Sequence, residues 1–349
     1  MTVTKAARRK AQAMFDVFQA QGAQEIETEV LQPAETLLDL YGETIRNRAY
    51  VTFDPIHGEM MLRPDFTVPV VQMHMRDGTD SARYTYMGEA FRKQAAASGR
   101  PREFLQVGYE VFGHQDPAEA DAEVFSVIQR AIAPNGVRAV IGDIGILRAA
   151  VQGLDTSALR KAALMRHIWR PKRFAALLQR YSNPIERLPR DEICAKHIGL
   201  RSAGEIAARH TLLDKDAKQA PLPQEQLAAL AAILALNAPA KDALIALQDI
   251  AVKMPSIKEA VDRYALRLAA LEAQADTRHI TFEGSYGRTS LEYYDGFVFG
   301  IYPCEKDGVP IASGGRYDAL TRVLGQGRSI LAVGGIVRPE LLVALEDAV

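Results

Sequence analysis

Strand-forming and helix-forming segments are grouped along this 349-residue chain, and the grouping constrains the fold more than any other feature. Segments with strand patterns occupy much of residues 1–150 and return after residue 276. Between them the pattern is helical and rich in Ala and Leu, and prolines cut it into short helices. Strands that are grouped together, with helices elsewhere, predict an α+β fold with an antiparallel sheet rather than alternating β-α-β units.

The same grouping predicts how the chain is divided into domains. We expect a discontinuous core of residues 1–150 and 276–349, in which helices flank the sheet. Residues 151–275 are predicted to form an inserted all-helical region. A chain of this length fits about two domains of roughly 150 residues each.

Charge and cysteine content argue against several classes of protein. Lys and Arg number 42 against 43 Asp and Glu, so nothing suggests a protein built mainly to hold nucleic acid by its phosphates. Two cysteines, Cys194 and Cys304, cannot form a disulfide framework, and no zinc-ligand spacing is present. No apolar run approaches the roughly 20 residues of a membrane helix. A cytoplasmic protein without a metal site or membrane contact is expected.

The predicted strand Glu103–Phe112 carries the most informative pattern. One of its faces is apolar, and the other carries a polar strip that a glycine opens: Gln106, Gly108 and Glu110. Arg92 ends the preceding predicted strand and could point over this strip. The pattern leaves two interpretations open, a solvent-facing side of a sheet or a ligand floor where carboxylate, amide and guanidinium groups converge.

Three further segments have a structural and a functional interpretation. In Leu62–Thr67, Asp65 or Thr67 is suited to cap the helix that follows. Ala312–Asp318 resembles a glycine turn that leads into a helix, which is a weak signal for a phosphate cradle. The basic cluster Arg166–Arg173 around the single tryptophan, Trp169, is either a solvated helix end, which we favour, or a contact for RNA or a protein partner.

Taken together, these segments resemble the catalytic core of class II aminoacyl-tRNA synthetases, and most closely that of histidyl-tRNA synthetase. The matching segments, in chain order, are Gln24–Pro33, Leu62–Thr67, Tyr86–Gln106, Leu291–Phe299, Gly314–Asp318 and Ala332–Leu341. The resemblance implies an antiparallel sheet flanked by helices. It also implies a homodimer interface at Gln24–Pro33, where the periodicity predicts a half-buried strand as far as Val30.

The departures from the synthetase motifs concern ATP. Thr289 stands at the position of the arginine in the histidine-specific segment, and Leu341 at that of the arginine for the ATP phosphates. Arg288 is one residue away, which on an extended strand means the opposite face. Gln94 stands where the synthetase has a glutamate for the adenine. The sequence also ends shortly after the third motif, so we expect no C-terminal anticodon-binding domain.

The histidine-binding positions are better preserved than the ATP positions. The resemblance implies a histidine site made of Asp65, Thr67, Arg92, Gln106, Glu110, Tyr294 and Tyr317. In this implied site Glu110 contacts the imidazole and Gln106 the polar end of the amino acid. Asp65 is one methylene shorter than the glutamate that is usual at its position.

A chain that keeps a histidine pocket and loses the ATP chemistry resembles the regulatory subunits of ATP phosphoribosyltransferase, which serve the first step of histidine biosynthesis. The resemblance implies a non-catalytic chain without a cofactor that binds a short-form ATP phosphoribosyltransferase catalytic subunit. It also implies a homodimer within a hetero-oligomer, histidine as an allosteric effector, and no tRNA. The alternative is an amino-acid-activating, adenylate-forming enzyme such as a divergent histidyl-tRNA synthetase.

Overall fold

A computed structural model describes residues 3–77, 80–95, 100–132, 136–186, 201–288, 293–304 and 308–347 of the chain, without the side chains of 41–44. Its helices are α1 (Lys5–Ala20), α2 (Ala34–Tyr41), α3 (Thr67–Asp77), α4 (Pro117–Ile132), α5 (Ile144–Gln152), α6 (Ala158–Arg166), α7 (Pro171–Tyr181), α8 (Ala203–Ala217), α9 (Gln224–Ala235), α10 (Ala240–Lys253), α11 (Lys258–Gln274), α12 (Asp318–Leu324) and α13 (Pro339–Glu346). Within these ranges, none of the helices has the length and apolar character to cross a membrane.

The strands are β1 (Gln24–Glu25), β2 (Leu31–Pro33), β3 (Val51–Asp54), β4 (Gly58–Leu62), β5 (Ala82–Phe91), β6 (Glu103–Phe112), β7 (Val137–Asp143), β8 (Asn237–Pro239), β9 (Ile280–Glu283), β10 (Phe297–Pro303), β11 (Ala312–Arg316) and β12 (Ala332–Val337). Most of them form a nine-stranded sheet in the order β1-β5-β6-β12-β11-β10-β7-β9-β8. Only its β1–β5 and β7–β9 pairs are parallel. The predicted α+β class with an antiparallel-rich sheet is confirmed.

The order of strands explains how a core that is split in sequence becomes one sheet in space. Strands β6 and β12, which are more than 200 residues apart, pair directly, with Glu110 opposite Gly334. Strands β7 and β10 pair across the helical region along seven residue pairs, from Phe297–Asp143 to Pro303–Val137. The sequence-distant segments therefore meet at the centre of the sheet.

The predicted boundaries hold for the long strands and fail for the first one. Strand β6 spans the predicted Glu103–Phe112, whereas the strand predicted from Gln24 to Val30 is regular only over β1. Beyond β1, Ile26 still donates its backbone N–H to the carbonyl of Thr85, and the chain then leaves the large sheet. It joins a smaller sheet of order β2-β4-β3, because Leu31–Pro33 pairs with β4 instead. Only the first two residues of the predicted alternation are therefore part of a regular strand.

The region 151–275 is helical in its described residues, apart from the three residues of β8. Strand β8 pairs with β9 at the edge of the large sheet, so this region contributes to the sheet of the core. Its last helix, α11, is also joined to the core by a buried ion network. Arg267 of α11 bonds to Asp121 of α4 at 2.6 Å and to Asp143 at the end of β7 at 2.7 Å.

Asp121 is the centre of this network. One carboxylate oxygen accepts from Arg267, and the other accepts from Nε and Nη2 of Arg316 on β11, at 3.0 and 2.7 Å. Asp121 is fully buried, and both arginines are nearly so. A buried carboxylate is tolerated only when its charge is compensated and its oxygens are bonded. The network therefore fixes α4, α11 and β11 relative to one another.

Candidate functional site

A cavity of about 790 Å³ lies between the large sheet and the segments around it. Its floor includes Gln106 of β6 and the paired glycines Gly334 and Gly335 of β12. One wall is the turn before α3, which contains Asp65, and another includes Pro171 at the start of α7. Among the described residues, no group of three or more His, Cys, Asp or Glu side chains is placed to hold a metal ion.

Five of the seven predicted histidine-site residues line this cavity. They are Asp65, Thr67, Arg92, Gln106 and Tyr294. The sequence separates them by up to 229 positions, and β6, the end of β5 and the segment before β10 bring them together. The interpretation of the β6 strip as a solvent-facing surface is wrong, because Gln106 and Glu110 are each 1% exposed.

Gln106 and Asp65 are buried polar groups with free hydrogen-bonding capacity. Among the described residues, neither Nε2 nor Oε1 of Gln106 has a hydrogen-bond partner, and Oδ1 of Asp65 has none either. Leaving such a group unsatisfied costs about 1–3 kcal/mol, so native structures rarely keep one without a function. Both side chains face a cavity that can hold a ligand, which would supply the missing partners.

The carboxylate of Asp65 sits at the start of α3, as the capping interpretation predicts. Burial raises the pKa of Asp65, while Arg92 and the backbone N–H groups of Val68 and Thr67 oppose this rise. The Arg92 guanidinium lies 3.8 Å from Oδ2 and donates from Nε to the carbonyl of Pro64 at 2.8 Å. Arg92 thus lies on the Oδ2 side of Asp65, and Oδ1 remains available for a cationic group of a ligand.

Glu110 lies beneath the cavity instead of lining it. Its Oε1 accepts from Tyr86 at 2.8 Å and from Thr67 at 3.3 Å, and its Oε2 accepts from Tyr317 at 2.5 Å. Neither Glu110 nor Tyr317 is among the residues that line the cavity. The predicted contact between Glu110 and an imidazole therefore stays a prediction. In this structure the carboxylate accepts hydrogen bonds from three protein hydroxyls.

Two glycines make this arrangement possible. A Cβ at Gly108 would lie 2.0 Å from the ring of Tyr86, so the space that this glycine opens is filled by the tyrosine and not by a ligand. A Cβ at Gly334 would lie 1.4 Å from Oε2 of Glu110. Both positions accept only glycine because an aromatic ring or a carboxylate packs directly against the backbone.

Burial raises the pKa of Glu110 from 4.5 to about 7, although hydrogen bonds from Tyr317, Tyr86 and Thr67 oppose the rise. The folded chain therefore holds this proton more tightly than the unfolded chain does. We expect the free energy of unfolding to fall as pH rises from about 4.5 to about 7, by up to about 3 kcal/mol. The Glu110→Gln variant should lack this component, which urea unfolding of both proteins across this pH range will measure. Parallel curves for the two proteins would contradict the prediction.

The positions that depart from the synthetase motifs are only partly placed by the structure. Leu341 packs against the hydrophobic core and does not line the cavity, whereas Gln94 does line it. Thr289 lies outside the described residues. The expectation that Arg288 faces away from the site is wrong, because residue 288 lies in a turn and its side chain lines the cavity.

Sequence reasoning missed Arg338, and it misjudged Arg288. Arg338 follows β12 and lines the cavity, where its Nη1 donates to the carbonyl of Pro310 at 2.8 Å. Burial and the neighbouring Arg92 lower the pKa of Arg338 to about 10. Nothing in the local sequence pattern marks Arg288. The signal that could have found Arg338 is a charged residue directly after an apolar strand.

The glycine pair of Ala312–Asp318 is not a phosphate cradle. Residues Ala312–Arg316 form strand β11, and a Cβ at Gly314 would lie 2.3 Å from the carbonyl oxygen of Gly334. These glycines allow close packing inside the sheet. Arg316 points to Asp121 and takes part in the buried ion network.

The basic cluster around Trp169 forms the boundary between two helices. Helix α6 ends at Arg166, and α7 begins at Pro171. This placement agrees with the favoured interpretation of a helix end. The carbonyl of Ile168 within the turn accepts a hydrogen bond from Nε of Arg288 at 2.8 Å, so the turn contacts the cavity wall.

Comparisons with known proteins agree with this architecture. The family model described as histidyl-tRNA synthetase matches residues 2–187 and 191–342. Among solved structures, a protein from Bacillus halodurans titled ATP phosphoribosyltransferase regulatory subunit/histidyl-tRNA synthetase superimposes with a TM-score of 0.73 at 22% identity, covering 98% of this chain and 79% of that one. Histidyl-tRNA synthetase from Nostoc sp. PCC 7120 superimposes with a TM-score of 0.65 at 19% identity, covering 98% of this chain and 72% of that one. These likenesses establish the fold.

Curated relatives are similar over nearly their whole length. An ATP phosphoribosyltransferase regulatory subunit from Agrobacterium fabrum is 31% identical, with 92% of each chain covered. One from Sinorhizobium medicae is 32% identical, with 91% of this chain and 92% of the relative covered. The chain therefore belongs to the histidyl-tRNA synthetase family and, within it, to the ATP phosphoribosyltransferase regulatory subunits.

Proposed function

We propose that the chain is a non-catalytic subunit that binds a short-form ATP phosphoribosyltransferase catalytic subunit and makes its activity respond to histidine. The name and coverage of the curated relatives support the regulatory role. The observation that carries the effector role is the pair of buried, unsatisfied side chains Gln106 and Asp65 on one cavity. A regulator needs a site whose ligand binds two states of the complex unequally, and this cavity is our candidate for that site.

The polar atoms of an α-amino acid match the free groups of this site. Its ammonium group is a donor for Oδ1 of Asp65 and for Oε1 of Gln106. Its carboxylate is an acceptor for Nε2 of Gln106 and has Arg92 and Arg338 nearby in the cavity wall. Tyr294, 8% exposed, offers an aromatic surface for the side chain. Histidine is the amino acid that the synthetase resemblance favours.

The test is histidine inhibition of the reconstituted complex with the catalytic subunit. Replacing Gln106 by Leu removes two hydrogen bonds to charged ligand groups. This should weaken the binding of histidine by about 1–3 kcal/mol. We expect the inhibition constant for histidine to rise by roughly 5- to 150-fold. Asp65→Asn should raise it as well, because the countercharge for the ammonium group is gone. Steady-state inhibition curves measure both effects.

The matched control is Gln12→Leu, the same substitution at an exposed position of α1. It should leave both the activity of the complex and its inhibition by histidine unchanged. An unaltered inhibition constant in both the Gln106→Leu and the Asp65→Asn complex would place the effector outside this cavity.

We also propose that two copies of the chain associate through the region that resembles the first synthetase motif. Val30 and Leu31 are 40% and 38% exposed there, and the adjacent small sheet exposes Phe53 at 74%. Apolar side chains that are exposed in and next to one small sheet favour a partner surface that covers them.

The chain alone should therefore be a dimer by light scattering at micromolar concentration. The double variant Val30→Asp/Phe53→Asp should shift it toward the monomer, since it buries two charges in the interface. Val252→Asp, at an exposed apolar position of α10, is the control and should remain dimeric. A monomeric wild-type chain would refute the proposal.

A further inference from the structure

The segment of residues 156–185, which includes α6 and α7, carries charge of one sign only. It contains seven Lys and Arg residues and no Asp or Glu. The formal net charge of the whole chain is −1, so the rest of the chain is net acidic. A basic surface on such a chain attracts a partner that carries the complementary charge.

Four of these cations lie in the basic cluster at the junction of the two helices: Arg166, Arg170, Lys172 and Arg173. Arg166, Lys172 and Arg173 are exposed. Within the part of the chain that the structure describes, no carboxylate forms an ion pair with any of these three. Burial and the three arginines of the cluster lower the pKa of His167. The arginines therefore lie close together around one imidazole.

The two helices do not need this charge for their own stability. Cations are unfavourable at the start of a helix, yet the first turn of α7 contains Lys172 and Arg173 and no acidic residue. Arg160 of the same segment is different, because it is fully buried and donates from Nε to Asp216 at 2.7 Å. Exposed cations that oppose the helix dipole and have no acidic partner in the fold indicate a contact outside the chain.

The cluster rests on a well-packed base. Ile168 and Phe174, which lie within and just after the turn, are buried. Arg160 also donates to the carbonyl of Ala220 at 2.9 Å, which joins α6 to the chain beyond α8. A surface that is held in place before binding loses less conformational entropy when a partner binds.

The same base contacts the wall of the proposed effector cavity. The carbonyl of Ile168 accepts from Nε of Arg288 at 2.8 Å, and the guanidinium of Arg288 lies 4.7 Å from the ring centroid of Phe174. Pro171, at the start of α7, lines the cavity itself. The basic cluster and the cavity thus share one structural element, and coupling between two sites requires an element that both of them bias.

The charge pattern favours an acidic protein surface over RNA as the partner. An RNA strand is a long polyanion, and beyond the few cations of the cluster it would meet a chain that is net acidic. Trp169 packs against the hydrophobic core, and its indole Nε1 is buried. Stacking on bases requires an exposed aromatic ring. A compact group of carboxylates on a protein meets neither difficulty.

We propose that the basic cluster is a docking surface for an acidic patch on the catalytic subunit of ATP phosphoribosyltransferase. This inference rests on the proposed function, because it names the surface through which that partner binds. Opposite charges across an interface raise the rate of association and fix the orientation of the two partners.

The test measures binding of the purified short-form catalytic subunit to the full chain by calorimetry at low and at high salt. The triple variant Arg166→Glu/Lys172→Glu/Arg173→Glu changes only exposed positions and leaves the buried base in place. We expect it to raise the Kd at low salt by a factor of about 10 or more. The Kd of the wild type should rise with salt, and that of the variant should rise less.

The matched control is Arg9→Glu/Lys253→Glu/Arg322→Glu, which makes the same change in net charge at exposed positions of α1, α10 and α12. It should bind the catalytic subunit as the wild type does. Circular dichroism will verify that both triple variants are folded. Equal Kd values for the two triple variants would overturn the docking surface and leave the proposed function standing.

Two further outcomes separate this inference from its alternatives. A wild-type chain that does not bind the catalytic subunit would contradict the proposed function, and the docking surface with it. Single-stranded poly(U) RNA is the second probe. If the wild type binds poly(U), and the cluster variant loses this binding but still binds the catalytic subunit normally, the cluster is an RNA contact and the inference is overturned.

Discussion

Histidine-dependent exchange of pyrophosphate into ATP is expected to stay at background for this chain. The resemblance assigns the phosphoryl chemistry to two arginines, which are replaced here by Thr289 and Leu341. Leu341 packs into the hydrophobic core and is not part of the cavity wall. Each preorganised donor lost costs about 10²–10³ in rate, so two losses amount to roughly 10⁴–10⁶ before non-additivity.

Two other arginines of the cavity wall do not reverse this expectation. Arg288 contacts Ile168 and Phe174, Arg338 contacts Pro310 and Ser313, and neither stands at the sequence position of a missing arginine. Stabilisation of a transition state depends on where the donors are placed and not only on their charge.

The assay needs an active histidyl-tRNA synthetase as a positive control under the same conditions. The Asp65→Ala variant is the internal control, because it removes the proposed contact with the ammonium group. A histidine-dependent signal in the wild type that disappears in Asp65→Ala would contradict the prediction. It would also establish the alternative, an amino-acid-activating enzyme.

The second large effect concerns folding, and it is centred on Asp121. Removing its carboxylate takes away a negative charge that Arg267 and Arg316 share in the buried interior. Arg267 keeps its ion pair with Asp143, and Arg316 keeps its ion pair with Asp318. Deleting one partner of a buried ion pair typically costs 3–5 kcal/mol, so we expect a loss of about this size for Asp121→Ala. The equilibrium between folded and unfolded chain would shift by a factor on the order of 10²–10³.

Urea unfolding followed by circular dichroism measures this change, and an exposed ion pair provides the control. Asp262 pairs with Lys258 on α11 at 2.7 Å, and both side chains are largely exposed. Asp262→Ala should change the free energy of unfolding by less than about 1 kcal/mol, because an exposed pair contributes little. A loss below about 1 kcal/mol for Asp121→Ala would show that the network is not a determinant of stability.

The elements of the core could be predicted from the sequence wherever the pattern is local. The predicted strand Glu103–Phe112 agrees with β6 over all of its residues. The first strand is the exception, because the chain leaves the large sheet shortly after Glu25 and joins a different sheet only at Leu31. Alternation predicts an extended chain, but it carries no information on which neighbour pairs with it.

The site was predictable to the extent that the motifs identify its members. Gln106 and Glu110 share one face of β6, and the strand pattern predicts that both of them face a ligand. The structure separates them, because the ring of Tyr86 fills the space above Gly108 and its hydroxyl bonds to Glu110. Gln106 is left facing the cavity with its amide free.

The sequence by itself determined the fold class and the family, and it predicted five of the residues that line the cavity, because these depend on local patterns and on the order of motifs. Only the tertiary structure decided which polar groups remain unsatisfied among the described residues. Hydrogen bonding and burial are set by neighbours that are distant in sequence, such as Gly334 beside Glu110 or Ile168 beside Arg288. A buried polar group is costly or harmless according to those neighbours, and so the free amide of Gln106 became visible only in the folded chain.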